Sequence, residues 1–124
     1  MQAYNIIPKC DDQQYLIELR DRLSRGWSAE TSSDENWSAE NPPLGQCAVT
    51  ALIVQDKCLG KLLRSTVNGV SHYWNLLPDG TEVDLTRSQF TEPLEFGEVV
   101  ERERDYVLSF PATAERYEKL RAAI

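Results

Sequence analysis

The sequence is poor in the residues that usually announce chemistry. It holds one histidine, one methionine and three cysteines, and nowhere do its lysines and arginines run together. With a single histidine, any step that needs an imidazole near neutral pH rests on His72. No GxxxxGK[ST], GxGxxG or HExxH pattern is present, which removes the strongest nucleotide and zinc-protease signals. The longest mainly apolar run, residues 48–54, is far shorter than the roughly 20 residues that span a bilayer. Positive charge is also scarce: 13 Lys and Arg stand against 20 Asp and Glu, a net charge of -7. Such a surface suits neither nucleic acid nor an anionic membrane, and neither is expected as a partner. Met1 to Asn5 carry neither the basic region nor the apolar core of a leader, so the expected compartment is the cytoplasm. The cysteines show no CxxC spacing and fit no zinc pattern. Odd in number and without a leader, they do not read as a disulfide framework. No metal and no cofactor are expected.

What is present is ordinary for a globular chain. Hydrophobic residues make up 41% of 124 residues, enough for one domain over 1–124 with a single modest core. Residues 1–10 read as extended, since Pro8 blocks an early helix. Asp11 or Asp12 can cap a helix in which Tyr15, Leu16, Leu19 and Leu23 recur at helical spacing, and Gly26 suits its C-terminal cap. A long polar connection follows over 27–45, with a five-residue echo beginning at Trp27 and at Trp37. Those tryptophans read equally as a substrate-facing rim or as anchors that pin a loop to the core.

Asn41-Pro42-Pro43-Leu44-Gly45 stiffens the approach to a helix over about 46–57. Apolar over most of its surface, this should be the buried central helix, ended by Gly60. A three-stranded meander comes next. Strands over 61–67 and 70–77 flank Asn68-Gly69, a strong two-residue hairpin turn. Pro78-Asp79-Gly80 then turns the chain into a third strand over 81–86. Residues 87–97 read as irregular, 98–104 as a strand in preference to a charged helix start, and 111–123 as a closing helix. The charged run 101–105 reads as a solvated face.

The candidate chemistry begins at Cys47. A thiol at a helix start feels the positive end of the dipole, which favours the reactive thiolate. Backbone amides of the first turn are placed for a developing oxyanion, and Gln46 could add its side-chain amide. Cys10 and Cys58 read instead as buried, unreactive core residues. On one helix, Cys47 and Cys58 would lie roughly 16 Å apart, too far to bond.

His72 gains weight from register. If Pro78-Asp79-Gly80 forms a three-residue loop, Leu77 opposes Thr81 and Trp74 opposes Asp84. His72 and Asp84 then share a face as diagonal neighbours roughly 7–8 Å apart. A two-residue loop would instead put them on opposite faces. The Pro-Asp-Gly signature favours the first register, and the Asn68-Gly69 hairpin sets Ser65 opposite His72. Asp84 could then orient the imidazole and stabilise its cation.

Gly45-Gln46-Cys47-Ala48-Val49-Thr50-Ala51-Leu52, Ser71-His72-Tyr73-Trp74-Asn75, the stretch from Asp79 to Thr86, and Gln89-Phe90 together resemble the bacterial YunG-like family. Trp27, Trp37, Pro42 and Thr113 to Tyr117 fit it as well. At fold level the layout is similar to papain-like proteins, including transglutaminase-like domains. The resemblance implies an α+β, papain-like core. Its central helix, begun by the cysteine, would pack on a small antiparallel meander sheet with flanking helices. One departure is at glutamine: papain-type enzymes place the oxyanion glutamine several residues before the cysteine, whereas Gln46 is adjacent to it.

The expected function is a cysteine-dependent amide or acyl hydrolase, or an acyl-transferase, acting through Cys47, His72 and Asp84. Gln46, Trp27, Trp37 and Trp74 are the candidate substrate-binding residues, for a small-molecule or peptide-like substrate. The alternative is a non-catalytic ligand- or protein-binding module on the same scaffold. A thiol-sensing role for Cys47 is disfavoured because no resolving cysteine is near it in sequence. Oligomeric state is left open.

Overall fold

The computed structural model describes Cys10 and residues 12–124. The extended segment expected over 1–10 lies, but for Cys10, outside them. Among the described residues, Gln13 onward, the architecture is α+β, with four α-helices and one four-stranded antiparallel sheet.

Helix α1 spans Gln13–Gly26. It starts where Asp12 accepts a hydrogen bond from the Gln14 amide at 2.9 Å, meeting one of the four donors that a helix start leaves unpaired. Leu19 and Leu23 form its buried face. Gly26 is not the left-handed cap expected: it is the last helical residue, followed by an extended Trp27. Its value is closeness, since a Cβ there would stand 2.9 Å from Ile124 Cγ2 and 3.1 Å from Leu120 Cδ1.

Helix α2 spans Cys47–Cys58 and is buried all round from Val49 to Val54, as its mainly apolar run requires, with Asp56 and Lys57 exposed near its end. Leu52, Ile53 and Val54 are almost wholly withdrawn from water, each contributing on the order of 2 kcal/mol by burial. The helix ends in two left-handed residues, Leu59 (φ 63°) and Gly60 (φ 85°). Only glycine fits the second place, because a Cβ would meet the Leu76 carbonyl oxygen at 2.3 Å.

Strands β1 (Lys61–Val67) and β2 (Val70–Leu76) form the hairpin, with both Asn68 and Gly69 at positive φ, as a type I′ turn needs. Ser65 opposes His72. The next turn adopts the three-residue register: the Leu77 amide donates to Thr81, Asn75 opposes Val83, and Leu76 opposes Glu82. The strand that follows, β3 (Glu82–Val83), is shorter than expected. Asp84 ends it by drawing the Thr86 amide onto its Oδ1 at 3.2 Å. A fourth strand, β4 (Val100–Arg102), pairs with β1, giving the order β3-β2-β1-β4.

The chain closes with α3 (Arg104–Leu108) and α4 (Pro111–Ala123). Arg104 is not part of a solvated face. It donates to the Leu52 carbonyl, the Gln55 amide oxygen and the Tyr117 hydroxyl, and pairs with Asp56 at 2.7 Å, tying α2 to α3 and α4. Helix α2 packs against β1 and β2 and against α4, which in turn packs on α1. Asn75 of β2 donates to the Ala51 carbonyl at 2.9 Å, joining sheet to helix.

Cys10 and Cys58 are bonded as a disulfide, with Cα atoms 5.6 Å apart. This corrects the reading of both as unpaired core residues. The fold brings Cys10 to the C-terminal end of α2, a closeness that spacing in sequence does not reveal. Among the described residues, no helix is long and apolar enough to cross a membrane, and no cluster of His, Cys, Asp and Glu is arranged to hold a metal ion.

Candidate functional site

Cys47 owes its position to the bend before it. Gly45 sits at φ 73°, and a Cβ there would lie 2.3 Å from Ser32 Oγ and 2.7 Å from the Asp34 amide nitrogen. Glycine therefore lets the loop after Thr31 close over the approach to α2, where the Ser33 amide donates to the Gly45 carbonyl at 2.9 Å. Cys47 is a free thiol, 8% exposed, with its S–H directed to the Ser71 carbonyl at 3.8 Å. A cleft of about 540 Å³ opens over it, between residues 33–36 on one side and Ser71, Gln89 and Phe90 on the other.

His72 lies beneath that cleft, completely buried on β2. Trp74 stacks along one side of the ring at 5.7 Å between centroids, and Phe90 meets it edge-on at 5.0 Å. The ring Nε2 is 2.6 Å from Asp84 Oδ2. The Cys47 side chain also acts on the ring, favouring its charged form. Burial by itself lowers the imidazole pKa, but the bonds and charges of Asp84 and Cys47 outweigh it and raise it from 6.5 to about 9. The imidazole and the carboxylate thus bond directly, and the cysteine bears on the charge of the ring. In such an arrangement a proton can pass from sulfur to ring while the carboxylate balances the charge.

The other expected site residues lie elsewhere. Gln46 is fully buried, its Nε2 donating to the Ser28 carbonyl at 3.0 Å and its Oε1 accepting from the Thr31 hydroxyl at 2.8 Å. Both ends of the amide are spent on the 27–45 connection, so it is no oxyanion donor. Trp27 is buried, with its indole N–H on Thr50 at 2.9 Å, and Trp37 donates to the Pro42 carbonyl at 2.8 Å. Both are loop anchors. Trp74 donates to Glu82 at 2.7 Å and packs on His72. None of the four lines the cleft over Cys47.

A residue with no role assigned from sequence, Gln89, does line it. Its side chain reaches His72 Nδ1 at 3.3 Å. In the sequence Gln89 figured only within the Gln89-Phe90 pair of the family resemblance, and its irregular surroundings gave no pattern from which to place it.

The family model described as YunG protein matches residues 15–124. The chain belongs to the YunG family. It is 34% identical over 101 residues to a Bacillus subtilis (strain 168) protein named "Uncharacterized protein YunG", covering 82% of this chain and 84% of that one. No solved structure matches. The family match includes Cys47, His72, Asp84 and Gln89 and leaves out Cys10, so the disulfide uses one residue from beyond the shared region.

Proposed function

We propose that this YunG-family chain is a cysteine-dependent amide or acyl hydrolase, or an acyl-transferase, for a small-molecule or peptide-like substrate. One observation carries the reading: His72 holds Asp84 at 2.6 Å with one nitrogen, and Cys47, which lines a cleft, acts on the charge of the ring. The Cys47 proton passes to His72 before attack, the resulting thiolate attacks the acyl carbon, and Asp84 steadies the imidazolium. The imidazolium returns the proton to the leaving amine or alcohol as the carbon–oxygen or carbon–nitrogen bond breaks. Water or an amine then attacks the thioester, loses its proton through His72, and frees the thiol. First-turn amides of α2 serve the oxyanion in place of Gln46. The order of elements, a cysteine opening a helix, a histidine on a strand and an aspartate just past the next, also fits a papain-like scaffold, by analogy of layout.

The test is alkylation of native protein by iodoacetamide, read by mass spectrometry from pH 5 to 9. Cys47 is expected to react faster than glutathione at pH 6, and His72→Ala to slow it by about tenfold there. Reaction no faster than glutathione, or a rate indifferent to His72, would overturn the proposal. One observation favours the alternative of a non-catalytic binding module: the thiol and the ring are 8% and 0% exposed, leaving little of either for a substrate to touch. Those same failing outcomes would support it.

A further inference from the structure

The amide of Gln89 is held from several sides. Gln89 closes a short 3-10 turn, Arg87–Gln89, and is 8% exposed. Its carbonyl accepts from Asn41 at 3.3 Å, and its Oε1 from the Gly45 amide at 3.4 Å. Its Nε2 faces Thr86 Oγ1 at 3.4 Å and His72 Nδ1 at 3.3 Å.

Two neighbours decide which end of the amide faces the ring. The Gly45 N–H can only donate, so the atom facing it must be the oxygen. The Thr86 hydroxyl spends its hydrogen on Asp84 Oδ1 at 3.4 Å, so towards Gln89 it can only accept. Both place the NH2 group against His72. A closed circuit results, in which Gln89 donates to Thr86, Thr86 to Asp84, the His72 Nε2–H to Asp84, and Gln89 again to His72 Nδ1. It is complete only when Nδ1 carries a lone pair, the state of the ring above its pKa of about 9.

We propose that Gln89 is a positioning residue that holds His72 Nδ1 as an acceptor and so competes with the Cys47 thiol for that nitrogen. The consequence for catalysis rests on the reading of Cys47 as nucleophile. With Nε2 committed to Asp84, a proton leaving Cys47 has only Nδ1 to go to. Once Nδ1 is protonated it donates, and the Gln89 N–H must let go. At 3.3 Å the bond is long for its kind. The groups bearing on the ring's charge are thus Asp84 beyond β3, Cys47 of α2 and Gln89 of the 3-10 turn. Trp74 and Phe90 cover it without titrating.

The chain has one histidine, so ¹⁵N-histidine labelling of the full protein gives one pair of ring-nitrogen signals. In the unmutated chain, above the ring's titration, the proton should sit on Nε2 and Nδ1 should be bare. A proton on Nδ1 in the neutral ring would overturn the proposal without any variant. In Gln89→Met, similar in length but without the donor, the neutral ring loses its support. Its titration should move up by about half to one pH unit, the worth of one hydrogen bond. A midpoint unchanged or lowered would also overturn it. Neither measurement needs Cys47 to react. Slow alkylation alone would count against the hydrolase reading and leave the Gln89 circuit standing.

Discussion

Stability should fall as pH rises from 6 to 10, and His72 should account for the fall. The imidazole titrates near 6.5 when unfolded and near 9 in the fold, a difference of about 2.5 units. At 1.36 kcal/mol per unit this is about 3 kcal/mol. The sign follows from which state holds the proton more tightly. The folded ring does, so the contribution is whole below pH 6.5 and is lost as pH climbs through 9. The figure is an upper value, because part of the rise comes from Cys47. Urea unfolding followed by the fluorescence of the three tryptophans, at five pH values from 6 to 10, measures it. His72→Gln should remove most of the pH dependence in that window. Asp84→Asn, which leaves the ring a neutral partner, should leave a smaller slope than the native protein. Equal losses in native protein and His72→Gln, or stability rising with pH, would refute the charge balance described for the ring.

The remaining predictions concern the two corrected readings. The Cys10–Cys58 bond spans 48 residues, so its removal should cost up to about 4 kcal/mol by loop-closure entropy. Thiol titration in guanidinium without reductant should count one free thiol per chain, and a count of three would show that the link does not form. Gln46→Ala removes two buried hydrogen bonds, while the Ser28 carbonyl and Thr31 hydroxyl keep each other as partners, at a cost on the order of 1 kcal/mol in urea unfolding. Its Cys47 should alkylate at the native rate per folded molecule. Lost reactivity at unchanged stability would return Gln46 to the site.

Where local chemistry decides a conformation, the sequence was legible. Asn68-Gly69 and Pro78-Asp79-Gly80 each specify a turn, and each turn specifies a register. From those two facts come the Ser65–His72 pairing and the shared face of His72 and Asp84. The buried central helix was legible in the same way, from an apolar run between Gly45 and Gly60. What stayed hidden depends on contacts between distant segments. Cys10 and Cys58 meet because α2 ends where the chain near residue 10 passes. Arg104 looks like one more charge in a polar run until α2 and α4 supply its acceptors. The two glutamines show the same divide. Gln46 is next to the cysteine in sequence yet turns away into the loop, while Gln89 reaches the ring from a segment with no periodicity. The tryptophans were open to either reading, since an indole anchors a loop with the same surface and N–H that it would offer a ligand.

Asp84 divides its oxygens: Oδ1 takes the Thr86 amide and ends the strand, and Oδ2 takes the ring. The turn over 77–81 therefore works as a ruler. One residue added there would advance Asp84 by a single place and swing its carboxylate to the far side of the sheet. Every side chain of the site would still be present, and the imidazole would have lost the group that aims it. Hairpin length is in this sense as much a part of the site as the residues it presents.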